Sequence, residues 1–415
     1  MKSTSRLLLL SAVALGFTAC SDNDDLPQEN TSKVITVDSS FPDSFVQDKA
    51  LITSRGDFTL SFTELNSGKK TEFTVNPDAA TSTISLPVGI YDYTGEFPYT
   101  VSIDGISKDK LLRCVGKSVT VNSDATVNLD WFAASTSTEG FVIAEIYASG
   151  SPNAAGTGGL KDTFVRIYNN SDETLYADGL AIVESDFVNA KASNHKILTE
   201  ANDRNKNFTV GVVWVIPGSG KDVPVEPGKS IVVCDQAINW GEQVEGALDL
   251  TGADFEWYDD HKLDTDNPAV PNLQKWFSYS NTIWVISNQC NRSYAIVRMP
   301  QDMTVEKYLS DYKGAYDYEH SSTHKQMHKE KAMLIPNEWI LDGVNLGDAE
   351  NFVQGALSVA IDASYGCISS KGQDPARFGK AFVRKTQMKL AGHDVLQDTD
   401  DSAADFTLSK PTLLK

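Results

Sequence analysis

The chain has 415 residues, 41% of them hydrophobic and 9% aromatic, with a formal charge of −20 and a pI near 4.7. That length suits two domains, and that apolar content is enough to bury their cores, which excludes a disordered chain. So acidic a surface repels phosphate backbones and anionic lipid, which excludes nucleic acid as a partner.

In the first twenty residues, Lys2 and Arg6 stand ahead of an apolar run, Leu7–Phe17, that is too short to span a bilayer. The run closes on Phe17-Thr18-Ala19-Cys20. This resembles a bacterial lipobox, which implies a cleaved lipoprotein signal peptide over 1–19 and a diacylated Cys20 as the new N-terminus. An ordinary signal peptide with an incidental cysteine is the alternative. The next residues, Ser21-Asp22-Asn23-Asp24-Asp25, resemble the acidic export signal that sends lipoproteins of Bacteroidota to the outer face of the outer membrane. Residues 20–32 are then an acylated, acidic tether with a flexible polar end, and the expected location is the cell surface, held by acyl chains.

From residue 33 to 131 the sequence alternates with period two. Phe58, Leu60 and Phe62 fall on one face, Asn66-Ser67-Gly68-Lys69 turns, and Thr71–Val75 returns. Further strands read as Ile84–Leu86, Ile90–Tyr93, Tyr99–Ile103, Leu111–Val115, Ser118–Val121 and Thr126–Leu129. So many short strands with turns between them predict an Ig-like β-sandwich of about a hundred residues. The segment LPVGIYDYTGEF, residues 86–97, resembles a strand of carboxypeptidase-regulatory-like (transthyretin-like) modules, which serve mostly as spacers. Residues 132–140 are small, polar and aperiodic, and read as the linker.

The second domain, 141–415, opens with the apolar run Phe141–Ala144, then Glu145-Ile146, a Gly/Ser/Asn-rich loop and the alternating strand Thr163–Tyr168. Asn169-Asn170-Ser171-Asp172 stops that strand, with short polar side chains that bond their own backbone. Phe208–Ile216 and Ser230–Cys234 read as buried strands, and Thr304–Leu309 as a short helix with Val305, Tyr308 and Leu309 on one side. Ala144-Glu145-Ile146, Phe164–Ser171 and Ala177–Leu180 resemble the opening of a lamin-tail-like domain, an Ig-like sandwich. Arg384, Asp398–Ser402 and Asp405-Phe406 resemble its close. Phe164, Arg166 and Leu180 depart from that pattern. The resemblance implies a mainly β protein of two β-sandwich domains, the second lamin-tail-like and about half insertion. The arrangement is similar to a Bacteroidota outer-membrane lipoprotein family known as a domain of unknown function.

Chemical constellations are sparse. Gly218-Ser219-Gly220-Lys221 looks like the tail of a phosphate loop, but Val215 and Asp222 break the motif and leave a turn. His320 and His324 have zinc-protease spacing, yet Ser321 stands where the general-base Glu belongs. Besides Cys20 there are four cysteines. Cys114 and Cys234 read as buried thiols, while Cys290 and Cys367 in polar loops are a candidate disulfide. Two acidic clusters, Asp254–Asp266 and Asp398–Asp405, are either calcium loops or solvated surface, and neither fits an EF-hand.

Two groups remain as candidate sites. Aromatic residues crowd between 240 and 284 beside carboxylates. Trp257, Tyr258, Trp276 and Tyr279 would form a stacking platform for a sugar ring, or else a core built of large side chains. His320, His324 and His328 follow one another at four-residue spacing. A helix there would offer one pair of imidazoles to a transition metal, and the alternative is an exposed polar segment. No other cofactor is indicated. The sequence thus predicts a non-enzymatic lipoprotein of the cell surface that captures a ligand, or assists an outer-membrane (TonB-dependent) transporter. The competing reading is a surface glycan-binding protein using residues 254–284.

Overall fold

The structure, a computed structural model, describes residues 32–38, 41, 43–79, 81–103, 106–122, 125–129, 131–134, 140–371, 373–390 and 392–412. The expected leader, Cys20 and its acidic tether lie outside the described residues, as does most of the expected linker. No described helix is long and apolar enough to cross a membrane.

The protein is mainly β, and its buried apolar residues fall into clusters that do not mix the first 131 residues with the rest. In the first module the strand Ser32–Asp38 lies between Thr81–Pro87, antiparallel, and Ala125–Asn128, parallel. A second sheet runs in the order Lys70–Val75, Phe58–Glu64, Gly89–Ile103, Ile106–Val121, Trp131–Ala134. Between the sheets lie Ile35, Val37, Phe58, Leu60, Phe62, Phe97 and Trp131. Where the sequence predicts pairs of short strands, the structure has one long hairpin, Gly89–Ile103 against Ile106–Val121. Pro98 does not break it, because the pairing with Phe58–Glu64 ends at Glu96 and that with Ile52–Arg55 begins at Tyr99, so on that edge no ladder bond needs its missing N–H. The last strand runs on to Ala134, three residues into the expected linker.

The second unit has two sheets. One runs in the order Phe255–Glu256, Ser230–Cys234, Phe164–Asn169, Phe141–Tyr147, Ala381–Arg384, Phe406–Ser409. The other has the order Gln274–Ser278, Asn207–Val215, Leu180–Val188, Arg292–Arg298, Ile340–Gly347, Gly366–Cys367. Ile143, Ile167, Ile182, Trp214, Trp257 and Ile296 meet between them. A sandwich strand normally shows water one face, yet every residue of Phe141–Tyr147 is buried. Val142 and Ala144 are covered by Tyr168 and Leu396, and insertions cover the remaining outer faces. Residues 237–270 cover the outer face of the first sheet, packing Trp240, Leu248 and Leu250 on Tyr147 and Phe164. The helix Val305–Asp311 and the segment around Ala356 and Leu357 cover the other, packing Tyr308 and Leu357 on Val183 and Val213. That helix is capped by Thr304, whose hydroxyl accepts from the Lys307 N–H at 3.2 Å.

Buried charge closes the unit. Glu145, opposite Arg166 in the ladder and 3.4 Å from it, accepts the Thr412 N–H at 2.8 Å and so ties the chain's end to its opening strand. Arg384 is surrounded by Asp342, Asp398 and Asp405. It also donates to the carbonyls of Ile143, at 2.8 Å, and Gln397, at 3.0 Å. Asp401 caps the short helix Ser402–Asp405.

Candidate functional site

The four aromatic residues singled out in the sequence do not form one platform. Trp257 is fully buried between the sheets, its ring 5.0 Å from that of Trp284. Tyr279 packs against the same core, half-buried, with the Arg292 guanidinium 5.4 Å from its ring. Trp276 lies in the cluster on the opposite face of its sheet, against Tyr308. Tyr258 is half-buried and reaches only toward Asp260. Trp276 and Tyr279 pack in different clusters, and the insertions supply apolar neighbours that the linear sequence lacks.

The carboxylates beside them fasten loops. Glu256 accepts the N–H groups of Ala237 and Asn267, at 2.8 and 2.7 Å. Asp259 accepts the Trp284 N–H at 2.6 Å and pairs with Lys275 at 2.8 Å. Asp264 accepts from the Asp259 N–H and the Gln236 amide. Among the described residues no three His, Cys, Asp or Glu side chains are arranged to hold a metal ion.

The histidine segment is a β-hairpin and not a helix, Tyr316–Glu319 pairing with Gln326–Lys329. His324 sits in the turn at φ +52°, and the four-residue spacing therefore places no two rings on a helix face. Each imidazole has its own neighbour. His324 Nδ1 is 3.0 Å from Glu319, His328 Nδ1 2.7 Å from Asp317, and His320 Nδ1 3.2 Å from the Ser322 hydroxyl. The hairpin wins because Asp317 faces His328 and Glu319 faces Gln326 across the ladder, while the polar turn residues between them need no buried face. Cys114 is buried, Cys234 and Cys290 are free and buried, and Cys367 is free and exposed, so the Cys290–Cys367 disulfide is not formed.

Trp276 nonetheless borders a cleft of about 860 Å³. One wall is the turn 174–179, and the loop 215–221 faces it. Met299 and Met303 lie beside Trp276, with Gln274 and Gln301 exposed at the mouth. The Gly218–Lys221 loop is fastened rather than open. The Asp178 carboxylate accepts the Gly220 and Val223 N–H groups, and Asp222 accepts that of Ser219. These donors are spent, so no phosphate cradle exists. Gly218 is required here, since a Cβ would stand 2.4 Å from that of Asp178 and its φ is +147°. Arg298 braces the other wall through the carbonyls of Asp178 and Tyr176.

Sequence reasoning missed Glu184. It is fully buried, 3.1 Å from the Trp284 Nε1 and 2.8 Å from the Tyr294 hydroxyl, with Arg292 at 3.5 Å. Burial pushes its carboxyl up against the opposing pull of Arg292. A lone acid in the run Leu180–Val183 is the signal that would have found it. Enclosed by its partners, it locks the sandwich.

Residues 226–412 match the model of a protein family of unknown function, DUF4876. No curated protein matches the chain. A crystal structure of a DUF4876 family protein from Bacteroides thetaiotaomicron VPI-5482 is similar in fold, with a TM-score of 0.58 at 20% identity, over 90% of this chain and 94% of that one.

Proposed function

We propose that this chain, whose C-terminal half carries the DUF4876 match, is a non-enzymatic outer-membrane lipoprotein that captures a ligand at the cell surface, beside an outer-membrane transporter. The observation that carries ligand capture is the Trp276 cleft. Its volume lies within the range of small-molecule sites, and it combines an indole and two methionines with a few polar groups at the mouth. A flat ring beside exposed amides suits a saccharide, so a glycan is the first ligand class to test. The Cys20 motif and the acidic residues after it supply the anchor and the outward address.

The test is native electrophoresis through gels containing soluble polysaccharides. Retardation by at least one of them, removed by Gln274→Ala with Gln301→Ala in a protein of unchanged thermal midpoint, supports the reading. Migration unaffected by the whole panel, or retardation that survives the substitutions, sinks the saccharide-binding cleft.

A further inference from the structure

A second cavity, of about 410 Å³, lies away from the Trp276 cleft, among residues 187–190, 193–204 and 353–356. Asn202 lines it and is 4% exposed. Its amide nitrogen donates to the Thr209 hydroxyl at 3.0 Å and to the Gly314 carbonyl at 2.9 Å, while its Oδ1 has no partner among the described residues. A buried acceptor left unmatched calls for a donor from outside the chain.

The next two residues of the wall carry opposite charges that pair with nothing. The Arg204 guanidinium touches only main-chain carbonyls, at 3.0 Å from Gln354 and 3.5 Å from Gly355, and makes no ion pair among the described residues. The Asp203 carboxylate accepts the Asn205 N–H at 3.0 Å and has no cationic partner among the described residues. The rest of the wall is mixed: Phe187, Ile197, Val353 and Leu198, the last 42% exposed, form an apolar part beside Ser193, Thr199 and Glu200, whose carboxylate is paired with Lys206 at 3.1 Å. His195 also lines the cavity. Its Nδ1 accepts the Ser321 N–H at 3.2 Å, so the neutral ring carries its proton on Nε2 as a further donor.

We infer that this cavity binds a zwitterion with an apolar side chain, a free amino acid or a dipeptide. The ligand carboxylate goes to Arg204, its ammonium to Asp203 and the orphaned Asn202 oxygen, and its side chain to the Phe187–Ile197–Val353 wall. Planar guanidinium and carboxylate match in geometry as well as charge. The site does not depend on the cleft, and the two are tested independently.

The experiment is calorimetric titration of the purified protein with L-leucine, L-leucyl-L-leucine, N-acetyl-L-leucine amide and D-galacturonate. Saturable binding of one or both zwitterions is expected, with the tighter of the two identifying the source. The capped amide, lacking both charges, should bind at least about tenfold more weakly, a difference of about 1.4 kcal/mol. Asp203→Asn keeps the acceptor for Asn205 and removes only the charge. It should weaken zwitterion binding about tenfold, as should Arg204→Met. Should Arg204→Met fail to fold, Asp203→Asn alone decides. No saturable heat from either zwitterion at millimolar concentration overturns the inference. So does equal binding of the capped amide, unchanged affinity in Asp203→Asn, or tighter binding of galacturonate.

Discussion

Arg384→Met is the most informative perturbation of the fold. The guanidinium is 1% exposed, bonded to Asp342, 3.1 Å from Asp398 and 3.5 Å from Asp405. Methionine keeps much of the stem volume and leaves three buried carboxylates and two carbonyls without their donor. Removing one partner of a buried ion pair costs about 3–5 kcal/mol, chiefly because the charge left behind is uncompensated. At about 2–4 °C per kcal/mol for a unit of this size, the thermal midpoint of the second unit should fall by roughly 6–20 °C. The separate core of the first module gives an internal reference in a calorimetric scan. The deficit should also depend on pH. Burial pushes the Asp342 carboxyl up to about 8, against the pull of Arg384 and helped by Asp398, and burial likewise raises Asp405 to about 6. Without the arginine both rise further. A carboxyl whose folded pKa is raised destabilises the fold increasingly as pH climbs from its unfolded value through its folded one. The loss in Arg384→Met should therefore be greatest at pH 8 and shrink toward pH 5. A drop below about 2 °C, or one that grows as pH falls, would refute this account of the network.

Other expectations are independent of that cluster. The same sign applies to the intact protein, where burial lifts Asp362 to about 7 despite hydrogen bonds from Ser402 and Asn345. Its thermal midpoint should rise as pH is lowered from 8 to 6.5, above the range where His195 titrates, and a flat profile would count against it. Cys20→Ala should leave the protein unprocessed or released from the outer-membrane fraction, and unchanged fractionation would exclude the lipid anchor. Denatured, unreduced protein should titrate four thiols with a disulfide reagent, for Cys114, Cys234, Cys290 and Cys367, whereas two would mean that a disulfide forms after all.

Those parts of the second sandwich that are set locally were legible in the sequence. The turn after Thr163–Tyr168 forms as its side chains dictate, with the Asn169 amide oxygen accepting from the Ser171 N–H and hydroxyl at 3.0 and 2.7 Å. The helix with Val305, Tyr308 and Leu309 inward appears with its Thr304 cap. Arg384, Asp398 and Asp405, well separated in the chain, meet in one buried cluster, which their spacing alone did not show. What failed was inference across long separations. Four-residue histidine spacing is neutral between helix and hairpin until the partner strand is known. The aromatic stretch looked short of apolar neighbours because those of Trp276 come from residues 181–215 and 295–357, and those of Trp257 from both sheets. Asn202 carried no signal at all, since an orphaned acceptor exists only once its surroundings are closed.

Both cavities lie where insertions meet the sandwich, and there is a reason for that. The inner sheet faces are filled by interlocking branched and aromatic side chains, and a void among them would forfeit contact energy on every side. Insertions answer to a looser constraint. They must cover an apolar sheet face, as the 237–253 segment, the helix Val305–Asp311 and the 353–357 segment do, but their own paths between covering points are free. The Trp276 cleft lies between the 215–221 and 299–303 segments, and the Asn202 cavity between 193–204 and 353–356. The walls of each are held by bonds spanning many residues, Arg298 to Tyr176 in one and Arg204 to Gln354 in the other. Sites built this way vary in lining without disturbing the core, so ligand preference should follow the insertions and stability should follow the strands. Exchanging residues 353–356 for a glycine-rich loop should then alter binding at the Asn202 cavity, with a shift in thermal midpoint well short of that from Arg384→Met. A loss of stability equal to Arg384→Met would show that the insertion belongs to the core after all.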